Sequence, residues 1–492
     1  MTAMKSNAFL AVDIGATSGR TILAFYCDNK LEMRELSRFS NPMVPIGGHL
    51  FWDIVHLYNE ILKSLKLLSE KGITIASIGI DTWGCDFAFF GKDGQVLGMP
   101  YCYRDGHTSG ARHRFFERMP ADELYRRTGI QFMDFNSVFQ LDTLKRNGCD
   151  ALDKADKILF IPDALIYMLT GKAVCEYTVA STSQLLDSLT GEFDTEVLRV
   201  LGIGRERFGT MVKPGELVGP LTQQVQDHTS VGLVNVVAVA GHDTASAVAA
   251  VPAEDKDYAY LSCGTWSLLG VEVPEAIITE ESLEYNFTNE GGVDGTIRFL
   301  KNICGLWLFE QSRKEFEDAP SDVADLVALC EASTFDGLIN PDSPRFVNPL
   351  SMLKAIRDYC IDTGQPVPET PADYCRCIFR SLAFRYRQVM EQMKGICDVS
   401  IKKLHVIGGG SQNSYLMQYA ANALNMPVIC GPVEGTALGN VLMQIKASGL
   451  VSSLSQMREI AANSVAPVKY LPKDVDLWEK EYQRYVAVTS HE

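Results

Sequence analysis

The sequence predicts an α/β protein of two domains, and three observations carry that expectation. Strand-like and helix-like runs alternate from end to end, the pattern of folds in which helices cover sheets. At 492 residues the chain is too long for one hydrophobic core. An apolar hairpin with a turn of small residues occurs twice, about 250 residues apart, each time opening one half of the chain. The boundaries implied are roughly 1–247 and 248–492.

The elements follow in order. "NAFLAVDIGATSGRTILAFY" (7–26) reads as strand, tight turn, strand; Gly and hydroxyl residues in such a turn let phosphate approach bare amides, although a plain hairpin turn is the alternative. In "IVHLYNEILKSLKLLSEKG" (54–72), Ile54, Leu57, Tyr58, Ile61, Leu62 and Leu65 share one helical face, and Gly72 is placed to end the helix. "ITIASIGID" (73–81) reads as a buried strand. "VVAVAGHDTASAVAAVP" (236–252) puts a His and an Asp at the centre of the least polar stretch of the chain. Its first part is a buried strand, Gly241 the turn, and "TASAVAA" the start of a helix of small residues. Asp243 therefore projects from the C-terminal end of a strand, where open α/β sheets bind ligands; the alternative is a simple helix N-cap. The apolar surroundings are expected to exclude water from this buried carboxylate. "YLSCGTWSLLGVEV" (260–273) repeats the hairpin, and "KLHVIGGG" (403–410) is a strand running into a glycine loop. A helix (414–425), a strand (427–430) and another helix (436–449) follow. The last helix, "DLWEKEYQRYVAVTS" (476–490), is a candidate to pack back on the first domain.

Composition narrows the function. The net charge of −16, from 45 Lys+Arg against 61 Asp+Glu, argues against nucleic acid or an anionic membrane held by a broad basic surface. It leaves room for a small anionic ligand held by backbone amides. The thirteen cysteines are scattered. Cys375 and Cys377 form a C-x-C pair with no second pair, so they read as core residues in a reducing compartment rather than a zinc site; the pairing state of Cys360, Cys375 and Cys377 stays open. Four apolar residues before Asp13 are too few for a signal peptide, and the His-Asp pair interrupts the 236–252 stretch before it could span a bilayer. The expectation is a cytoplasmic protein, a monomer or small homo-oligomer.

An ordered set of motifs then carries a resemblance: "VDIGATSGR" (12–20), "SIGIDTWGCDF" (77–87), "YRDGHT" (103–108), "TGIQFMDFNSVFQL" (128–141), "EYTVASTSQLLD" (176–187), "GHDTASAV" (241–248), "YLSCGTWSLLG" (260–270), "TNEGG" (288–292), "LKNICGLWL" (300–308) and "HVIGGGSQN" (405–413). Together they resemble the FGGY carbohydrate kinases of the actin-like ATPase superfamily over nearly the whole chain. "DTWG", "GHDTASAV" and "LKNICGLWL" are similar to the branch that acts on L-rhamnulose. The resemblance implies two actin-like (ribonuclease H-like) domains with a deep cleft between them, sugar held mainly by the first and nucleotide by the second. It implies transfer of the γ-phosphoryl of ATP, with Mg2+, to the 1-hydroxyl of L-rhamnulose.

By the same resemblance Asp243 is the proton acceptor. Carboxylates, with ordinary pKa values of about 4, are weak bases for alcohols. Phosphoryl transfer has a loose transition state, so aiming the hydroxyl contributes more than basicity. Ala16, Thr17, Ser18, Gly19 and Arg20 would hold phosphates, and Asp13 would help hold Mg2+ through water unless it only satisfies local amides. Thr265 and Gly408, Gly409 and Gly410 would contact ATP, although three glycines also read as a plain loop. Glu310 falls where the family meets the nucleotide, although a member of the family has an amide there. Gly84, His242, Asp243, Thr244 and Asn302 would bind the sugar. Trp83 is placed to cover the methyl end of a 6-deoxy sugar, or else belongs to the core. His107 departs from the Arg common in related chains, an exchange that is not conservative. Two rivals remain: the same chemistry on another ketose (L-fuculose, L-xylulose or D-ribulose), and an ATP-driven clamp that phosphorylates no sugar.

Overall fold

The computed structural model describes residues 7–490 apart from 318 and 321; residues 1–6, 491 and 492, at the ends of the two expected domains, lie outside the described residues. Two compact units emerge. The first holds residues 7–252, Glu272–Phe299 and Gly435–Ser464, the second Ala253–Val271, Leu300–Glu434 and 465–490.

The sheet of the first unit contains β1 (Ala8–Ile14), β2 (Ser18–Cys27), β3 (Lys30–Ser40), β4 (Ser77–Thr82), β5 (Glu216–Pro220) and β6 (Asn235–Ala238), in the order β5-β6-β4-β1-β2-β3. The three central strands β6, β4 and β1 run parallel, and the hairpin β1–β2 and the edge strand β5 are antiparallel. Every residue of β1 and β4 is buried, as expected for central strands covered on both faces, and each carries one Asp near its end. The helix Ile54–Glu70 forms as expected: Asp53 accepts the His56 N–H at 2.9 Å, and Ile54, Leu57, Ile61, Leu65 and Leu68 are buried. Gly72, at φ 64, supplies the left-handed residue that ends it.

The helix Asp243–Ala249 crosses the helix Gly435–Ala447 at backbone contact, because a Cβ on Gly439 would lie 1.7 Å from the Ser246 carbonyl oxygen. The 435–447 helix also sends Gln444 into the sheet, where it donates to the Leu10 carbonyl at 3.0 Å and accepts from Ser77 Oγ at 2.7 Å. Hydrophobic patterning identified this helix but not the unit it serves.

Beyond β4, Asp86 gathers four donors. Its Oδ2 accepts from Trp52 Nε1 (2.6 Å), Trp83 Nε1 (2.9 Å) and the Tyr103 N–H (3.0 Å), and its Oδ1 from Gln140 Nε2 (2.8 Å). Burial nevertheless pushes its pKa up to about 6, the donors only limiting the rise.

In the second unit β7 (Tyr258–Cys263), β8 (Trp266–Val273), β9 (Ile297–Cys304), β10 (Lys403–Ile407), β11 (Val428–Cys430) and β12 (Val468–Tyr470) follow the order β9-β8-β7-β10-β11-β12. β7–β8 is an antiparallel hairpin, β7, β10 and β11 are parallel, and β12 is an antiparallel edge. These strands repeat the order of the first sheet, with its antiparallel hairpin, parallel strands and antiparallel edge, so the echo between the two hairpins reflects a repeated topology. Thr370 and Asp373 cap the long helix Pro371–Ile396 reciprocally. The final helix, Val475–Thr489, packs within this unit, with Trp478 5.2 Å from Phe384 between ring centres, and not on the first domain as the sequence left open. None of the thirteen cysteines is in a disulfide, and Cys360, Cys375 and Cys377 are buried. Among the described residues no helix is long and apolar enough to cross a membrane.

Two predictions follow from these contacts. Gly439→Ala forces two helix backbones apart and should lower the unfolding free energy by about 3 kcal/mol; urea denaturation equal to the parent's would contradict the backbone contact. For Asp86, the native carboxyl holds its proton above the unfolded chain's ordinary 3.8. Its contribution to stability therefore falls as pH rises from about 4 to about 6. The difference in unfolding free energy between parent and Asp86→Asn should shrink by about 3 kcal/mol across that window; a pH-independent difference would reject the assignment.

Candidate active site

The turn that carries Asp243 is held from below by a buried carboxylate. Glu176 caps the helix Tyr177–Ser181, accepting the Thr178 and Val179 N–H groups at 2.9 and 3.0 Å, and its Oε2 also accepts the Gly241 N–H at 2.9 Å. Thr178 Oγ1 accepts the His242 N–H at 3.2 Å. A side chain on Gly241 would meet Glu176 Oε2 at 2.8 Å, so glycine is required there. Thr82 at the end of β4 donates its N–H to the Gly241 carbonyl at 2.9 Å, which fixes the turn against that strand.

Asp243 is the first residue of its helix and not its N-cap, a place taken by His242. Its Oδ1 accepts the Thr244 N–H (2.5 Å) and Thr244 Oγ1–H (3.1 Å). His242 Nε2 faces the same oxygen at 3.4 Å, and the His242 side chain is 9% exposed against 31% for Asp243. The expectation of a carboxylate shut away from water is thus corrected: strand and helix are buried, but their junction opens outward. His242 Nδ1 receives Arg298 at 3.1 Å, and Arg298 pairs with Glu290 at 3.1 Å.

Asp13 lies across from Arg20 in one direction and Asp81 in the other, as the registers of β1 with β2 and β4 dictate. Arg20 grips Asp13 Oδ2 through Nε (3.0 Å) and an amino nitrogen (2.8 Å). Asp81 is fully buried. Burial first, then the Asp13 and Asp243 charges, hold its pKa well above the usual carboxylate range, opposed by Asn440 and Arg20. Asn440 donates to Asp81 Oδ2 at 2.6 Å, while Asp81 Oδ1 has no hydrogen-bond partner. Carboxylate oxygens suit a hard cation, but among the described residues no three His, Cys, Asp or Glu side chains group around an ion position. The donors are carboxylate oxygens of the kind Mg2+ takes, and among the described residues they do not form a protein cage.

The hairpin turn Gly15–Thr17 is closed by the Gly15 N–H to the Ser18 carbonyl (2.9 Å) and tied to Asn41, which donates to the Thr17 and Gly15 carbonyls. Gly84 has no room for a side chain, since its Cβ would lie 2.7 Å from Thr182 Oγ1, and Cys85 beside it takes φ 69. Trp83 is buried against Trp52, ring centres 4.5 Å apart. His107 sits under the surface with Nδ1 2.9 Å from Asp105 Oδ1, and burial pushes its imidazole below the ordinary value.

The second unit brings its own set together. Gly264 and Thr265 form the turn of β7–β8; their carbonyls accept the Leu306 (2.9 Å) and Trp307 (3.1 Å) N–H groups at the start of the helix Trp307–Glu315. Glu310 follows on that helix, its Oε2 2.8 Å from Arg313. Gly408, at φ 87, and Gly410 pack on Cys263, where a Cβ would come within 3.0 and 2.3 Å, whereas Gly409 faces open space. Asn302 is half-buried on β9.

Asp81, Glu176, Glu290 and Arg298 were not singled out from the sequence. Asp81 had a signal, as a second carboxylate ending a buried strand, but its meeting with Asp13 depends on strand register.

The chain matches the N-terminal domain model of the FGGY family of carbohydrate kinases over residues 8–250 and the C-terminal domain model over residues 259–448. It is 52% identical over 480 residues to a rhamnulokinase of Bacteroides thetaiotaomicron, covering 97% of this chain and 98% of that one. A rhamnulokinase of Pectobacterium atrosepticum is 42% identical over 495 residues, with 99% and 98% covered. Among solved structures, a gluconate kinase from Lactobacillus acidophilus superposes with a TM-score of 0.82 at 17% identity over 98% of both chains. Plasmodium falciparum glycerol kinase with ADP gives 0.78 at 17% identity over 99% and 98%. At such identities the structures speak for the fold alone, the two-domain fold of sugar kinases. With both halves matched by the family's domains, the chain belongs to the FGGY family of carbohydrate kinases.

Proposed function

We propose that this chain transfers the γ-phosphoryl group of ATP to the 1-hydroxyl of L-rhamnulose. The observation that carries the reading is its likeness to rhamnulokinases along nearly its whole length. Sugar binding belongs mainly to the first domain, roughly 1–247, and nucleotide binding mainly to the second, roughly 248–492. The cytoplasm is the setting that ATP and thirteen cysteines outside any disulfide favour.

Asp243 acts as the general base. Thr244 ties down its Oδ1, so Oδ2 is the oxygen that receives the hydroxyl proton while the alcohol oxygen attacks phosphorus. His242, Thr244, Gly84 and Asn302 hold the other sugar hydroxyls. The turn Ala16–Arg20 presents amides and hydroxyls to phosphate, while Thr265, Glu310 and Gly408–Gly410 meet the nucleotide. Asp13 would hold Mg2+ through water, and the ion would supply positive charge that offsets the phosphates. Trp83, packed on Trp52 and bonded to Asp86, shapes the wall beside Gly84 that a methyl group would meet.

ADP release over a panel of ketoses tests the reading. The fastest turnover is expected on L-rhamnulose, and a faster L-fuculose, L-xylulose or D-ribulose would replace the substrate. Asp243→Asn should lower kcat by about 10²–10⁴-fold with an unchanged urea midpoint. ATPase activity indifferent to every sugar, with a harmless Asp243→Asn, would overturn the kinase assignment. Trp83→Ala should change the preference for L-rhamnulose over a ketose bearing a 6-hydroxyl; an unchanged ratio removes Trp83 from the sugar site.

A further inference from the structure

Arg298 is a fully buried cation. Its Nε donates to the Gly291 carbonyl at 2.9 Å, and one amino nitrogen lies 3.1 Å from both His242 Nδ1 and Glu290 Oε2. A guanidinium offers donors only. The imidazole nitrogen that receives it must therefore be the unprotonated one, and the Glu290 carboxylate adds an ion pair to the same amino nitrogen. Protonation at Nδ1 is blocked by the same N–H. The single ring proton is left on Nε2, the nitrogen that faces Asp243 Oδ1 at 3.4 Å.

Glu290 makes the arginine necessary. Its Oε2 is 3.4 Å from His242 Nδ1. Without Arg298 between them, this carboxylate would draw a proton onto Nδ1. The lone pair of Nε2 would then face the Asp243 carboxylate, and two acceptors would be opposed where a donor and an acceptor now meet. Glu290 and Arg298 both lie in the segment Glu272–Phe299, which belongs to the same compact unit as Asp243.

We propose that Arg298 is a positioning residue for phosphoryl transfer: by donating to Nδ1 it holds His242 as the neutral Nε2–H tautomer, which directs a hydrogen-bond donor at the Asp243 carboxylate and the sugar beside it. The inference rests on the role given to Asp243 under the proposed function. Neither Arg298 nor Glu290 touches substrate in this scheme; both act through the imidazole.

The test is the long-range 1H–15N spectrum of histidine rings in the full-length protein at pH 7.5, with His242 identified by the signals lost in His242→Gln. The wild-type ring is expected as the Nε2–H tautomer; an Nδ1–H tautomer or an imidazolium overturns the proposal without any variant of Arg298. Arg298→Met should move the ring to the Nδ1–H form or to imidazolium and lower kcat on the best ketose tenfold or more, with KM for ATP within twofold. Arg298→Lys, which keeps a donor, should recover part of both. An Arg298→Met protein with wild-type tautomer and kcat also overturns the proposal. Should Arg298→Met fail to fold, Glu290→Gln decides: it removes the competing acceptor and leaves Arg298 in place, so the ring should keep the Nε2–H form, and a change to Nδ1–H would show that Arg298 does not hold the ring and overturn the proposal. The spectra are taken without substrate, so a wrong ketose or a harmless Asp243→Asn would fail the functional reading and leave the tautomer assignment standing.

Discussion

A carboxylate with no access to water needs a donor, and for Asp81 that donor is the amide of Asn440 at 2.6 Å. Leaving the acid unpaired among the Asp13 and Asp243 charges would cost several kcal/mol. The amide is itself held, because Gln444 donates to Asn440 Oδ1 at 2.7 Å and is anchored to Leu10 and Ser77. Each link is bidirectional: the amide group of Asn440 gives to Asp81 and takes from Gln444, so its orientation is fixed. The helix Gly435–Ala447 thus backs β1 and β4 and, through Gly439, the helix that Asp243 opens. Three strand and helix ends bearing carboxylates are set relative to one another by a segment almost two hundred residues downstream of Asp243.

Backbone accounting explains the rest of the turn. A tight turn between a central parallel strand and a helix leaves buried N–H groups that need acceptors. Glu176 takes the Gly241 N–H, Thr178 takes that of His242, and Asp243 takes that of Thr244. Burial raises the pKa of Glu176, and its four donors oppose the rise. The turn is held firmly because three of its amides, those of Gly241, His242 and Thr244, are committed, and the role proposed for Asp243 gains from such a base.

Much of this was legible in the sequence, and the boundary of legibility has a physical cause. The helix Ile54–Glu70, its end at Gly72, the two hairpins and the strand before Gly408 follow from periodicity and turn chemistry, which are local. So does the repeat: a hairpin and two parallel strands recur because the same apolar pattern recurs. What failed was non-local. The 435–464 segment carries no mark of the unit it joins, since an amphipathic helix states what it buries and not against which sheet. Arg298 reads as one more strand residue until folding brings it to His242. Trp83 illustrates the middle case. Its neighbourhood was placed by motif, but the partner that fixes its ring, Asp86, is three residues away in a turn whose shape depends on Thr182, Ser137 and Gln140.

The apolar setting of Asp243 has a different explanation from the one the sequence suggests. If dryness were its purpose, the carboxylate would be enclosed, yet the side chain is 31% exposed. The residues that make the stretch apolar answer to two other demands. Val236 to Ala238 are the inside of a central strand, and Ala245, Ala247 and Ala249 are small and buried on a helix that meets its neighbour at Ser246 and Gly439. Larger side chains would hold the helices apart and let the first turn shift. Because Asp243 begins that helix, every ångström of slack in the crossing would become an ångström at the carboxylate, and for the base proposed above such distances count more than base strength. The alanines are therefore there to fix where the acid stands; exclusion of water is left to whatever covers the open side when substrates bind.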